Sequence, residues 1–287
     1  AGFSDPLSEC AKCKRRFRSD HLKEKKCPDC EIELGESRQF NMMFKTSIGS
    51  LERKEDMVYL RPEIAQGMFV NFKNIIDTFH PRLPFGIAQI GKTFRNEIAP
   101  RDFIFRVREL ELMEFEYFVK EKEWEKYFKY WLEKMHTWFS LLGFSKSDIK
   151  EVELTEKDRA HYSKKTTDFY FNFPHGFDEI GGLAYRTDFD LKNHSQASKV
   201  TLEYLDPETN EKSTPHVLEP TFGLGRHLLA VLAKAYTEDE IGGEKRVVLK
   251  FPPHLAPIKV AVFPLLKNKD ELVTKARSVF EGLQKEF

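Results

Sequence analysis

The chain of 287 residues has no run approaching the ~18 consecutive apolar residues that a membrane-spanning helix requires. Its opening, "AGFSDPLSEC", lacks the basic and apolar regions of a signal peptide, so a cytoplasmic location and no membrane partner are expected. Net charge is also missing: 46 basic residues meet 46 acidic ones. The field of the whole molecule therefore attracts no nucleic acid, and any such partner must be held by local patches. There is no internal repeat and no low-complexity tract. What remains is a globular composition, 40% hydrophobic and 32% charged, long enough for one large or two ordinary domains.

Cysteine is scarce, and all four lie in "CAKCKRRFRSDHLKEKKCPDC" as Cys10, Cys13, Cys27 and Cys30. Paired C-x2-C knuckles gather four thiolates into a tetrahedron with no position left for a substrate, which predicts a structural Zn²⁺. Two disulfides or four idle thiols are the alternatives, and a reducing compartment argues against the disulfides. His21 stands between the knuckles as a substitute ligand or a solvated loop histidine. From Cys10 to Cys30 eight basic residues face three acidic ones. That excess is either a contact for a phosphate backbone or an ordinary solvated loop.

"KTFRNEIAPRDFIFRVRELELMEFEYF", Lys92 to Phe118, reads as two strands joined by a short turn at Ala99, Pro100 and Arg101. Strand alternation puts Arg95 and Glu97 on one face, and Arg106, Arg108, Leu110, Leu112, Glu114 and Glu116 on one face of the second strand. Phe105, Val107, Met113, Phe115 and Tyr117 point the other way. The pattern predicts a floor of fixed charges on one side and core on the other. Residues 123–142 carry aromatic side chains every three or four positions, an amphipathic helix ended by Gly143 and expected to serve packing alone. Strands are expected around "TTDFYFNF", "VTLEYLD" and "HVLEP", with a hairpin loop at "DPETNE". In "HVLEPTFGLGRHLLAVLAKAY" Glu219 lies on a strand and Arg226 at a helix start, where backbone N–H groups favour anions. "APIKVAVFPLL" and the amphipathic "DELVTKARSVFEGLQKEF" predict a buried strand and a helix, the first unit of an α/β domain. The chain is thus expected to be a piece of a longer protein.

"FRNE", followed by a loop, an Arg and a downstream Glu, resembles motif 2 of the class II aminoacyl-tRNA synthetases, and "EPTFGLGR" resembles their motif 3. "YLRPEIAQGMFVNF", "FNMMFKTSIG", "HYSKKTTDFYFNFPHGFDEIGGLAYRTDFDL" and "LAPIKVAVFPL" resemble the dimeric type of glycyl-tRNA synthetase, from Gly2 to the end of the chain. The resemblance implies an α+β fold. A class II catalytic domain would occupy 1–255, an antiparallel sheet flanked by helices with a zinc-knuckle insertion at 8–36. The start of an α/β anticodon-binding domain would occupy 256–287. Motif 1, which builds the family's homodimer interface, is not found.

The implied reaction joins glycine and ATP into glycyl-adenylate and passes glycine to the 3′ end of tRNA-Gly. It needs positioning and charge stabilisation and no covalent nucleophile. In the family's pattern Arg95 holds the α-phosphate and the glycine carboxylate, Arg106 the γ-phosphate, and Arg226 the adenine face and γ-phosphate. Arg95 and Arg226 are the catalytic pair. Glu97 accepts from the adenine amino group, and Mg²⁺ accompanies ATP with Glu219 and Glu179 as ligands. Glu63, Glu114, Glu219 and the Thr221 hydroxyl surround the glycine ammonium. Their convergence raises carboxylate pKa values in the empty site, and the tight fit excludes alanine by volume. Two positions depart from the family: Leu110 replaces the motif 2 phenylalanine under adenine, and Thr221 replaces the commoner serine. A catalytically silent accessory subunit, or an enzyme charging another small amino acid, is the competing reading.

Overall fold

The computed structural model describes residues 3–22, 24–50 and 53–286, without the His21 side chain. Lys23 and the expected alternative ligand His21 thus fall outside the described residues. The elements run β1 (Ser4–Glu9), β2 (Arg16–Arg18), β3 (Arg38–Asn41), β4 (Lys45–Ser47), β5 (Met57–Tyr59), α1 (Ala65–Phe79), β6 (Phe85–Phe94), β7 (Glu109–Val119) and α2 (Trp124–Leu141). They continue with β8 (Ile149–Glu153), β9 (Lys165–Phe173), β10 (Gly176–Thr187), α3 (Phe189–Ser198), β11 (Tyr204–Leu205), β12 (Lys212–Ser213), β13 (His216–Gly223), α4 (Leu224–Ala235), β14 (Tyr236–Ile241), β15 (Glu244–Leu249) and α5 (Asp270–Leu283).

A six-stranded sheet in the order β6-β7-β13-β10-β9-β8 forms the centre, and every pairing in it is antiparallel. Period-2 alternation sorts its side chains onto two covered faces. On one face Phe115, Tyr117, Leu218 and Phe222 meet the aromatic stripe of α2, where Phe128, Met135 and Phe139 are buried. The stripe therefore does what its spacing predicts. Helix α2 ends as expected at Gly143, whose φ of +85° lets Phe144 N–H reach Phe139 O and Gly143 N–H reach Ser140 O, a Schellman closure. On the other face α1 lays Ala65, Phe69 and Phe72 against Phe118 and Val217. The same face of β7 carries Glu114 and Glu116, so the charged floor lies beneath a helix and away from bulk water.

Three expectations need correction. The expected tight hairpin is a long loop over residues 95–108, because β6 ends at Phe94 and β7 begins only at Glu109. Arg95, Glu97, Arg106 and Arg108 are loop residues, and no strand face holds them. "VTLEYLD" contributes only the short β11, which pairs with β12 around the expected turn. "APIKVAVFPLL" forms no strand: no neighbouring strand among the described residues offers it hydrogen bonds, and Ile258, Phe263 and Leu265 stay exposed. The helix after it does form, as α5.

Candidate active site

A cavity of about 540 Å³ opens on the α1 side of the sheet, lined by Arg95, Glu97, Arg106, Leu110, Glu179, Thr221 and Arg226 among others. The loop 95–108 builds one wall by folding back on itself. Arg95 N–H bonds Arg108 O at 2.9 Å, and Arg101 bridges Arg106. At its tip Asp102 and Phe103 have φ values of +58° and +53°, sparsely populated for such residues and found where a loop is tightly determined. Arg106 Nη1 pairs with Glu97 Oε2 at 3.2 Å, both side chains mostly buried. Arg95 Nε donates to Pro62 O at 3.0 Å.

Arg226, in the first turn of α4, is held from three directions. Its Nε donates to Phe105 O at 3.2 Å, its Nη1 to Glu179 O at 2.7 Å, and the Glu179 carboxylate lies 3.5 Å away. The guanidinium sits 4.2 Å from the Phe105 ring centroid. Phe105 thus covers one face of the guanidinium and leaves the other to the cavity. Three guanidinium groups, those of Arg95, Arg106 and Arg226, converge on one space. Such a cavity suits a polyanion with a planar group attached.

Thr221 joins this cavity to a cluster of buried carboxylates. It pairs across the sheet with Glu114 on one side and Gly182 on the other, and Gly182 pairs with Asp168. Glu63, ahead of α1, accepts from Gln66 Nε2 at 2.8 Å. Gln66 also donates to Asp190 at 3.1 Å and accepts from His194 if that ring nitrogen carries the proton. Arg186 grips Asp190 with two bonds of 2.8 Å and Glu219 with one of 2.8 Å. Its guanidinium lies 3.8 Å from the Tyr162 ring centroid, and only 1% of the residue is exposed. Ile64 N–H donates to Glu114 Oε2 at 3.2 Å.

The recess gathers more carboxylates than cations. Burial, then Glu219 and Glu63, pushes the Glu114 carboxyl up to about 8. Burial also raises Glu219, with Arg186 pulling the other way. Glu116 is fully buried, and neither of its oxygens has a hydrogen-bond partner among the described residues. Burial first, then the Glu219 charge, drives its pKa well upward. Asp168 is pushed up to about 7 by burial and by Glu179. A Cβ at Gly182 would stand 2.9 Å from Asp168 Oδ1, so the carboxyl leans over the glycine.

Sequence reasoning missed Arg186, Asp190, Gln66, Glu116 and Asp168 as site residues. A signal existed for the first two: Arg186 and Asp190 are an i,i+4 pair of opposite charge beside the mostly apolar end of β10. Glu219 and Glu179, expected together at Mg²⁺, are set apart by the register, which places Glu219 opposite Ala184. Glu219 belongs to the recess with Arg186, and Glu179 to the cavity with Arg226.

The cysteines form a separate centre. One Sγ from each of Cys10, Cys13, Cys27 and Cys30 lies within 4.8 Å of the others, Cys13 and Cys27 at 3.7 Å, and all are free thiols. A tetrahedron with Zn–S bonds of ~2.3 Å has sulfur atoms about 3.8 Å apart. The knuckles repeat one backbone pattern: Lys14 N–H to Cys10 O and Glu31 N–H to Cys27 O, both 2.9 Å, with Lys14 and Glu31 at φ of +59° and +58°. The donor set fits a tetrahedral thiophilic cation. The basic excess around it is partly neutralised locally, by Arg15 with Asp29, Arg16 with Glu9 and Arg18 with Asp5, which weakens the expectation of a phosphate-backbone contact.

A family model for the tRNA synthetase class II core domain (G, H, P, S and T) matches residues 44–235. The glycine–tRNA ligase of Malacoplasma penetrans is 48% identical over 308 aligned positions, covering 98% of this chain and 66% of that protein. That of Caldanaerobacter subterraneus is 43% identical, covering 100% and 68%, and that of Thermus thermophilus is 49% identical, covering 84% and 51%. The chain thus spans between about half and two thirds of the length of these curated relatives. Among solved structures, Giardia lamblia prolyl-tRNA synthetase in complex with prolyl-adenylate superposes with a TM-score of 0.60 at 21% identity, over 84% of this chain and 45% of that one. That likeness bears on the fold alone. Together with the converging arginines and the carboxylate recess, the match over the core and the identity to the curated relatives place the chain: it belongs to the class II aminoacyl-tRNA synthetases, in the glycine–tRNA ligase family.

Proposed function

We propose that this chain carries the site where a glycine–tRNA ligase activates glycine with ATP and passes it to the 3′ end of tRNA-Gly. The observation that carries the reading is the adjacency of an arginine-lined cavity and a cluster of buried carboxylates, which meet at Thr221. In the first, Arg95 and Arg106 meet phosphate oxygens, and Glu97 accepts from the adenine amino group. Adenine lies between the free face of Arg226 and Leu110. In the second, Glu63, Glu114, Glu219 and Thr221 hold the glycine ammonium, and Arg95 reaches its carboxylate from the cavity side.

A glycine carboxylate oxygen attacks the α-phosphorus, and pyrophosphate departs. A terminal ribose hydroxyl of the tRNA then attacks the glycyl carbonyl and AMP departs. Arg95 and Arg226 act by stabilising the charge that gathers on the phosphate oxygens in the first step. Mg²⁺ would be met at Glu179, one of the carboxylates on the cavity wall, and would offset phosphate charge. In this reading the protein works as a homodimer in the cytoplasm, with a catalytic domain over 1–255 and an anticodon-binding domain beginning at 256. The direct test is binding of a non-reactive glycyl-adenylate mimic, glycylsulfamoyl adenosine. It should bind at least tenfold more tightly than its alanyl counterpart; equal affinities would remove the reading.

Two further results are expected. Purified protein should hold about one zinc per chain at Cys10, Cys13, Cys27 and Cys30; elemental analysis decides, and a Cys10–Cys30 disulfide in freshly reduced protein would contradict it. Leu110→Phe should tighten ATP binding by roughly 0.5 to 1.5 kcal/mol, the gain from an aromatic stack beyond burial. Phe222 cannot supply that stack, because it is buried on the α2 face of the sheet. Calorimetric titration with ATP measures the gain, and an unchanged affinity would show that adenine does not lie on Leu110.

A further inference from the structure

We propose that the four-cysteine knuckle is a positioning element of the nucleotide cavity, holding the Glu97–Arg106 pair in place from behind. The proposal rests on reading that cavity as the ATP site. Strand β1 is the middle of a three-stranded sheet in the order β2-β1-β3. Strand β2 leaves the first knuckle directly, and its Phe17 packs against the buried cluster of Cys10, Cys27 and Leu34. On the far side β3 ends at Asn41, and the next carbonyl, Met42 O, accepts Asn96 N–H at 2.7 Å. The residue after Asn96 is Glu97.

Between knuckle and loop lies a second cavity of about 130 Å³, lined by Phe17, Arg18 and Leu22 on one side and Glu97, Ile98 and Arg106 on the other. Glu97 and Arg106 line both cavities, so their ion pair is the partition between them. Arg18 is fixed by Asp5 at 3.1 Å and Asp20 at 2.7 Å, and attracts Glu97 across the smaller cavity. Glu97 therefore stands between two arginines, one from the loop and one from the knuckle. A long loop has little of its own to fix it, and its order comes from what it packs against. Without a metal the thiols lose their common centre, Phe17 its packing and Arg18 its orientation, and the loop loses that wall. The recess around Glu114 and Thr221 is built on β7 and β13 and does not depend on this contact.

The test compares zinc-loaded protein, chelator-treated protein and the Arg18→Gln variant, by amide hydrogen exchange and by substrate KM. Chelation should speed exchange at residues 95–106 about tenfold or more while leaving 112–118 protected, and should raise the ATP KM about fivefold, with a smaller rise for glycine, which meets the loop only through Arg95. Arg18→Gln, which spares the thiols, should raise the ATP KM about twofold to threefold with the knuckle's own exchange unchanged. Unaltered exchange at 95–106 after the zinc is removed would overturn the proposal, as would equal losses for ATP and glycine. Failure of the ATP reading shows differently: the zinc-loaded protein would then bind no ATP at all.

Discussion

Arg186→Met is expected to cost about 3 to 5 kcal/mol of folding stability, the range for removing one partner of a buried ion pair. The arginine is 1% exposed and bonds both Asp190 and Glu219. Methionine keeps much of its length and its packing on Phe69 and Tyr162, so the loss isolates charge from volume. Asp190 and Glu219 would be left uncompensated beside Glu114 and Glu116, and the Glu219 pKa, already raised by burial and held back by Arg186, would climb. An acid whose folded pKa is raised stabilises fully below its unfolded value and loses that stability as pH rises. The variant should therefore recover part of its deficit in mild acid. Arg186→Lys should fall between, because an ammonium cannot grip Asp190 with a fork and still reach Glu219. Denaturant unfolding measures the difference, and a loss below about 1 kcal/mol would mean that the recess carries less negative charge than its geometry implies.

The second large effect concerns Glu114→Gln, which keeps shape and removes one charge. Glycine binding should weaken by about 1.5 to 3 kcal/mol, roughly tenfold to hundredfold in KM, with ATP affinity little changed because arginines elsewhere hold its phosphates. Discrimination against alanine should survive, since it comes from volume. Acidity adds a sharper signature. The Glu114 carboxyl is held up to about 8 by burial first, then by Glu219 and Glu63, so the empty site keeps a proton there at neutral pH. An ammonium favours the ionised form, and glycine must displace that proton. Affinity should rise by roughly up to tenfold per unit between about pH 6 and 8 and then level off. Glutamine should flatten the profile, and a variant whose glycine KM keeps the native pH dependence would move the titrating group elsewhere. Folding stability of the empty protein runs the other way. Glu114 stabilises most below its unfolded value near 4.5, and that contribution fades as pH rises through about 8.

Much of this was legible in the residues. The aromatic spacing of α2, the stop at Gly143 and the alternation in β9 each express a local rule that packing did not override. The motif residues Arg95, Glu97, Arg106, Leu110, Thr221 and Arg226 do line one cavity, although alternation puts Arg95, Glu97, Arg106 and Arg108 on strands that stop short of them, β6 ending at Phe94 and β7 beginning at Glu109. Sequence period says which face a side chain takes only while the strand lasts, and nothing in "RNEIAPRDFIFRVR" marks where pairing stops. Asp168 left no signal, and Arg186 only its i,i+4 pairing with Asp190, for another reason. Their importance comes from register, which brings β9, β10, β13 and β7 into one row, and register is fixed by long-range pairing. The apolar "APIKVAVFPLL" shows the converse, since a strand pattern without a neighbouring strand forms none.

The most direct test is amino-acid-dependent pyrophosphate exchange, run with zinc-loaded protein, ATP and Mg²⁺ against each of the twenty amino acids. The paired compartments predict exchange with glycine alone, at least a hundredfold above alanine and serine, and its loss when Arg95 is replaced by alanine. Exchange of comparable rate with alanine or serine, or none with glycine while ATP still binds, would contradict the assignment of the carboxylate recess to glycine.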